Sequence, residues 1–133
     1  MHHEPVAFII LHDQDSNDCI KLKNQLIERC QSRANFPFLI RIVCHELESW
    51  YLGNLDAIES AYPSFKANRF KNKPRFRNPD LLYASDVLSK ILPGFQKRSA
   101  ATAISQHLDF ERNRSTSFKN FISGLQNLIA TSV

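Results

Sequence analysis

The sequence predicts an α/β domain with a parallel βαβ core and a C-terminal helical portion. Two short β-rich apolar runs, one from Val6 to Leu11 and one from Phe38 to Cys44, flank a segment of helical period. Beyond residue 45 helical spacing recurs on both sides of a long basic loop, punctuated by Pro and Gly. At 133 residues the chain has the size of one domain, so 1–133 is read as a single unit with a basic loop at 62–79 and C-terminal helices over 80–131.

Pro5 precedes the first run, which ends abruptly in His12-Asp13-Gln14-Asp15-Ser16-Asn17-Asp18. Such a continuous run predicts a strand buried on both faces, with a polar loop at its carboxyl end. From Cys19, the residues Ile20, Leu22, Leu26, Ile27 and Cys30 predict a helix of about four turns, capped by Asn17 or Asp18. Asn35-Phe36-Pro37 breaks it before the second strand. Strand, helix and strand within about 40 residues form a βαβ unit, whose strands are parallel and whose crossover is expected to be right-handed.

A further helix is expected from His45 to about Ala61, with Gly53 as an interruption. Asp80 is expected to cap a helix from Leu81 to about Leu92, stopped by Pro93-Gly94. The next helix runs from Phe95 or Gln96 to about Leu108, where Ala100, Ala101, Ala103 and Ile104 allow close packing. Ser115 or Ser117 caps the last, whose stripe is Phe118, Phe121, Ile122, Leu125, Leu128 and Ile129. Two strands make a small sheet for such a domain. Further pairing is expected from residues 1–5, from a partner or from a second copy, because an open edge strand invites it.

With 43% hydrophobic, 23% charged and 11% aromatic residues, the composition excludes disorder for most of the chain. No apolar run is long enough to cross a bilayer, and a cytoplasmic location without membrane association is expected. Cys19, Cys30 and Cys44 are odd in number and lack CxxC spacing, which argues against a disulfide framework and a zinc ribbon. The net charge of +4 is unevenly distributed. Lys66, Arg69, Lys71, Lys73, Arg75 and Arg77 give the loop +6, and the remaining 11 basic and 13 acidic residues leave −2.

Two sets of residues carry candidate chemistry. Asp13 and Asp15 follow the first strand, where open α/β sheets hold ligands, and Glu46 and Glu48 follow the second. Four carboxylates on adjoining strand ends would suit an oxygen-liganded Mg²⁺ or Mn²⁺. The same residues also suit turn building and helix capping. His12 and His45 stand beside them as a candidate ligand or general base. In the loop, Phe65, Phe70 and Phe76 alternate with the cations, a combination that suits phosphate neutralisation and base stacking. Anchoring of a solvated loop by its phenylalanines is the alternative. Lys97, Arg98 and Arg114 form a second basic group, able to bind phosphate or to pair with nearby acids. No GxGxxG or P-loop pattern occurs, which excludes those nucleotide sites.

The segments Phe8-Ile9-Ile10-Leu11-His12-Asp13-Gln14-Asp15-Ser16-Asn17-Asp18-Cys19, Ile42-Val43-Cys44-His45-Glu46-Leu47-Glu48-Ser49-Trp50-Tyr51-Leu52-Gly53 and Asn113-Arg114-Ser115-Thr116-Ser117-Phe118 resemble a bacterial family designated domain of unknown function four-two-seven-six. The resemblance extends from Val6 to Leu128. It implies a Toprim-like fold lacking its N-terminal half, Mg²⁺-dependent cleavage of nucleic-acid phosphodiesters, and a setting in phage or plasmid defence beside SMC-like or AAA-type ATPases. Asp13 and Asp15 match the Toprim DxD. The early glutamate of that pattern has no counterpart in this sequence: the expectation is that the chain is part of a longer protein, that Glu46 and Glu48 complete the site, or that the site is degenerate. The rival expectations are a non-catalytic partner of an ATPase, with homodimerisation through an open sheet edge, and a nucleic-acid-binding protein without chemistry.

Overall fold

The computed structural model describes residues 7–14, 18–32, 37–43 and 45–132. In it, β1 (Phe8–Asp13) and β2 (Phe38–Val43) lie parallel, with Phe8 opposite Phe38 and Asp13 opposite Val43. They are joined by α1 (Cys19–Gln31), whose first turn is capped by the Asp18 carboxylate accepting from the Lys21 N–H at 3.0 Å. The expected βαβ unit is therefore present. Val6, Asp15, Ser16, Asn17 and Cys44 lie outside the described residues.

The expectation of a first strand buried on both faces is corrected. Phe8, Ile9 and Leu11 are 47%, 44% and 39% exposed. The reason is the size of the sheet: among the described residues it has two strands, and α1 buries none of its side chains fully. The α1 stripe of Leu22, Leu26, Ile27 and Cys30 is only half-buried. By contrast Leu39, Ile40 and Val43 of β2 are buried, because β2 lies between β1 and the helical portion.

Beyond β2, His45 takes a left-handed backbone (φ 55°), one of the few positive-φ conformations that His tolerates, and turns the chain. Two short helices follow, α2 (Ser49–Leu52) and α3 (Leu55–Ala61). The interruption at Gly53 is present, although the helix begins at Ser49 rather than His45. Gly53 is required by close approach: a Cβ there would collide with the Asn113 side chain and lie 2.9 Å from the Ser115 nitrogen.

The 62–79 segment is organised by three short 3₁₀ turns, Ala67–Arg69, Pro74–Phe76 and Pro79–Leu81. Phe65 and Phe76 are buried, and Phe70 stacks on Phe65 at 5.2 Å and meets Phe76 edge-on at 5.7 Å. Burying one such ring is worth roughly 1.5–3 kcal/mol. Then come α4 (Ala84–Ile91), α5 (Lys97–Ser105) and α6 (Thr116–Ser132). Gly94, at φ +76°, makes the turn between α4 and α5 that Pro93-Gly94 predicts.

The main core gathers Leu52 and Ile58 with Leu88, Ala100, Ile104 and the loop phenylalanines. A second cluster joins Val43, Trp50 and Phe118, with Phe121 stacked on Trp50 at 5.3 Å. The α6 stripe is thus used mainly at its start; Ile129 is 57% exposed. Among the described residues, no helix is long and apolar enough to cross a membrane.

Candidate functional site

Parallel pairing brings the carboxyl ends of β1 and β2 side by side, and the Gln14 N–H donates to the Val43 carbonyl at 2.9 Å. The chain then turns at His45, and the Leu47 N–H donates to the Asp13 carboxylate at 3.1 Å. Asp13 therefore lies against the Glu46-Leu47-Glu48 turn.

The neighbouring carboxylates face other elements. Glu46 accepts from the Ser85 N–H at 2.7 Å and the Ser85 hydroxyl at 2.8 Å, which caps the first turn of α4. Glu48 is buried, with one oxygen 3.6 Å from the Lys97 ammonium. Burial, and secondarily the Glu48 charge, push the Tyr51 phenol up to about 12. The His12 Nδ1 lies 2.7 Å from the Asp13 carbonyl, and the His45 ring packs 5.9 Å from that of Tyr83. Among the described residues no three His, Cys, Asp or Glu side chains are grouped to hold a metal ion.

The loop is an ordered basic surface. Lys66, Arg69, Lys73, Arg75 and Arg77 are exposed, whereas Lys71 pairs with Asp56 at 2.6 Å. Lys73 and Arg75 lie 5.1 Å from the ring centroids of Phe70 and Phe76, within cation–π range. Base stacking on Phe65 and Phe76 is ruled out by their burial; these rings anchor the loop instead. Arg114 braces it from the far end of the sequence, its Nη1 donating to the Lys71 carbonyl at 2.9 Å and the Phe76 carbonyl at 3.5 Å. Lys71, Arg112 and Arg114 share the lining of a hollow of about 110 Å³ beside Gly53 and Asp56. Loop and C-terminal cations, far apart in sequence, thus converge. Lys97 and Arg98 begin α5, where Lys97 is engaged by Glu48.

A family model with the description Domain of unknown function (DUF4276) matches residues 4–126. The chain belongs to this family. No curated protein and no solved structure matches it.

In this DUF4276 chain the second and third motif segments meet, together with Asp80, in a buried polar knot. Asp80 is expected from its position to cap a helix at Leu81; this is corrected, because it lies in a 3₁₀ turn and its carboxylate is buried. It accepts from the Ser49 hydroxyl at 3.3 Å, the Ser115 hydroxyl at 2.6 Å and the Ser117 N–H at 3.1 Å. An anion there faces the first turn of α6, whose orphan N–H groups and dipole favour it. The Ser115 hydroxyl caps the same turn, accepting from the Phe118 N–H at 3.1 Å, as expected for one of the two serines. Asn113 donates to the Trp50 carbonyl at 2.9 Å, and the Trp50 indole donates to the Ser117 hydroxyl at 3.2 Å. Asp80 and Asn113 carry no pattern that sequence reasoning singles out as a knot. Arg41 does carry a signal, as the one charge inside the apolar run of β2.

Proposed function

We propose that the chain is a nucleic-acid-directed α/β domain whose 62–79 cations, with Arg114, take up backbone phosphates. The observation that carries this reading is the hollow where loop Lys71, paired with Asp56, converges with Arg114 and with Arg112, itself 3.8 Å from Asp109. Beside it, the loop cations Lys66, Arg69, Lys73, Arg75 and Arg77 are exposed and form no ion pair among the described residues. Like charges held together on an anchored loop repel one another, and a polyanion relieves that repulsion while releasing its own counterions. Lys97 and Arg98 extend the basic set.

The chemistry we propose for this surface is Toprim-like phosphodiester cleavage at the end of β1. Asp13 and Asp15 are the pair to hold Mg²⁺ or Mn²⁺, since Glu46 is drawn into the α4 cap and Glu48 toward Lys97. Either glutamate completes the set only by giving up its present partner. When bound, the cation supplies polarisation of the phosphate and activation of water. Calorimetric titration of Mg²⁺ and Mn²⁺ tests this: binding is expected in the wild type and lost in Asp13→Asn with Asp15→Asn, together with metal-dependent cleavage. Unchanged cleavage in that double variant contradicts the catalytic reading.

Among the described residues β1 pairs with β2 alone, and this with the exposed Ile9 and Leu11 favours a second reading, a partner or regulatory module of an ATPase in a defence setting. It expects a stable complex or homodimer by light scattering. A strictly monomeric chain that forms no complex with an ATPase counts against it.

A further inference from the structure

We propose that the groove between α1, β2 and α6 binds a phosphorylated anion of mononucleotide size. The groove encloses about 430 Å³, within the range of small-ligand sites. Lys23 of α1 and Arg41 of β2 supply two cations, while Asn120, Ser123 and Asn127 of α6 add neutral hydrogen-bonding groups. Among the described residues that line it, none carries a carboxylate.

Arg41 is the centre of the argument. It occupies an otherwise apolar strand, FLIRIV, and is half-buried. Its Nε donates to the Asn120 carbonyl at 3.4 Å and its Nη1 to the Ile40 carbonyl at 3.0 Å. Those contacts satisfy donors without neutralising the charge, and among the described residues neither Arg41 nor Lys23 forms an ion pair. A partly desolvated guanidinium without a carboxylate is costly, and a bound anion offsets that cost.

Gly124 points the same way. It lies inside α6, where glycine is roughly 1 kcal/mol less favourable than alanine. A Cβ there would stand 2.5 Å from the Arg41 Nη2 and 2.9 Å from its Cζ. The glycine leaves room for the guanidinium at the wall of the groove. Planar guanidinium donors match phosphate oxygens in pairs, and the lysine adds a point charge. This inference stands apart from the loop surface, because the two share no lining residue.

The test is calorimetry on the full chain with inorganic pyrophosphate, AMP and adenosine. Pyrophosphate and AMP are expected to bind and adenosine to give no heat. Lys23→Gln and Arg41→Gln are each expected to weaken AMP binding by roughly tenfold or more. Lys90→Gln, an exposed change on α4, is expected to leave it unchanged. Comparable affinities for pyrophosphate and AMP assign the site to the phosphoryl group alone, and tighter AMP assigns it to a nucleotide. No binding of either anion, equal binding of adenosine, or wild-type affinity in both groove variants overturns the proposal. Thermal unfolding of each variant accompanies the titration. Should Arg41→Gln fail to fold, Lys23→Gln decides.

Discussion

The βαβ unit at 7–43 and the helical region at 45–118 are both rich in large apolar residues, yet they are covered very differently. Ile9 is 44% exposed in β1, whereas Leu52, Ile58 and Leu88 are wholly buried in α2, α3 and α4. What separates them is the number of layers. The helices of the second region find neighbours on their apolar faces, and a polar knot ties α2 to the start of α6. Among the described residues the two-stranded sheet offers α1 one shallow surface and leaves Ile9 and Leu11 of β1 exposed. Apolar content alone does not make a core; it needs a second element to close on.

The largest effect that tests this contrast lies at the knot. Asp80→Ala removes the shared acceptor of Ser49, Ser115 and Ser117 and leaves buried donors unpaired. Loss of about 3–5 kcal/mol is expected in denaturant unfolding. A loss below about 1 kcal/mol would show that α6 is held without the knot.

A smaller, pH-dependent effect concerns Tyr51, 3% exposed in the main core. Its folded pKa is about 12 against an ordinary value of 10.0. The fold favours the neutral phenol, so its contribution is complete below pH 10 and is lost as pH rises toward 12. The expected slope is roughly 1.4 kcal/mol per pH unit in that window. Tyr51→Phe should flatten it; an unchanged slope would place the alkaline loss elsewhere.

The smallest effect is expected in the uncovered region. Leu11→Lys should change unfolding stability by no more than about 0.5 kcal/mol, because Leu11 is already 39% exposed. If β1 is a docking edge, the same substitution abolishes the complex seen by light scattering. A large stability loss would mean that β1 is covered within the chain itself.

Much of this architecture was legible from local patterns. The two strands, the α1 cap at Asp18, the break at Gly53, the Pro93-Gly94 stop and the Ser115 cap all rest on signals within a few residues of one another. Long-range choices were not legible. Asp80 stands before a helical stretch and looks like its cap, but only the fold brings Ser49 and Ser115 to it. Glu46 has the position of a metal ligand, yet the free amide of Ser85 claims it. Similarly, the loop phenylalanines alternate with cations as stacking residues do, and tertiary packing turns Phe65 and Phe76 inward. The convergence of Lys71 with Arg114, 43 positions apart, likewise has no local signature.

The claim that the anchored basic loop takes up phosphates is tested most directly by salt. Fluorescence anisotropy of a labelled single-stranded oligonucleotide, measured from low to moderate ionic strength, gives the slope of log affinity against log salt for the wild type, Lys73→Ala and Arg75→Ala. A steep negative slope is expected, falling in magnitude by roughly 0.7 for each phosphate contact removed. An affinity independent of salt, or slopes identical in all three proteins, would contradict it.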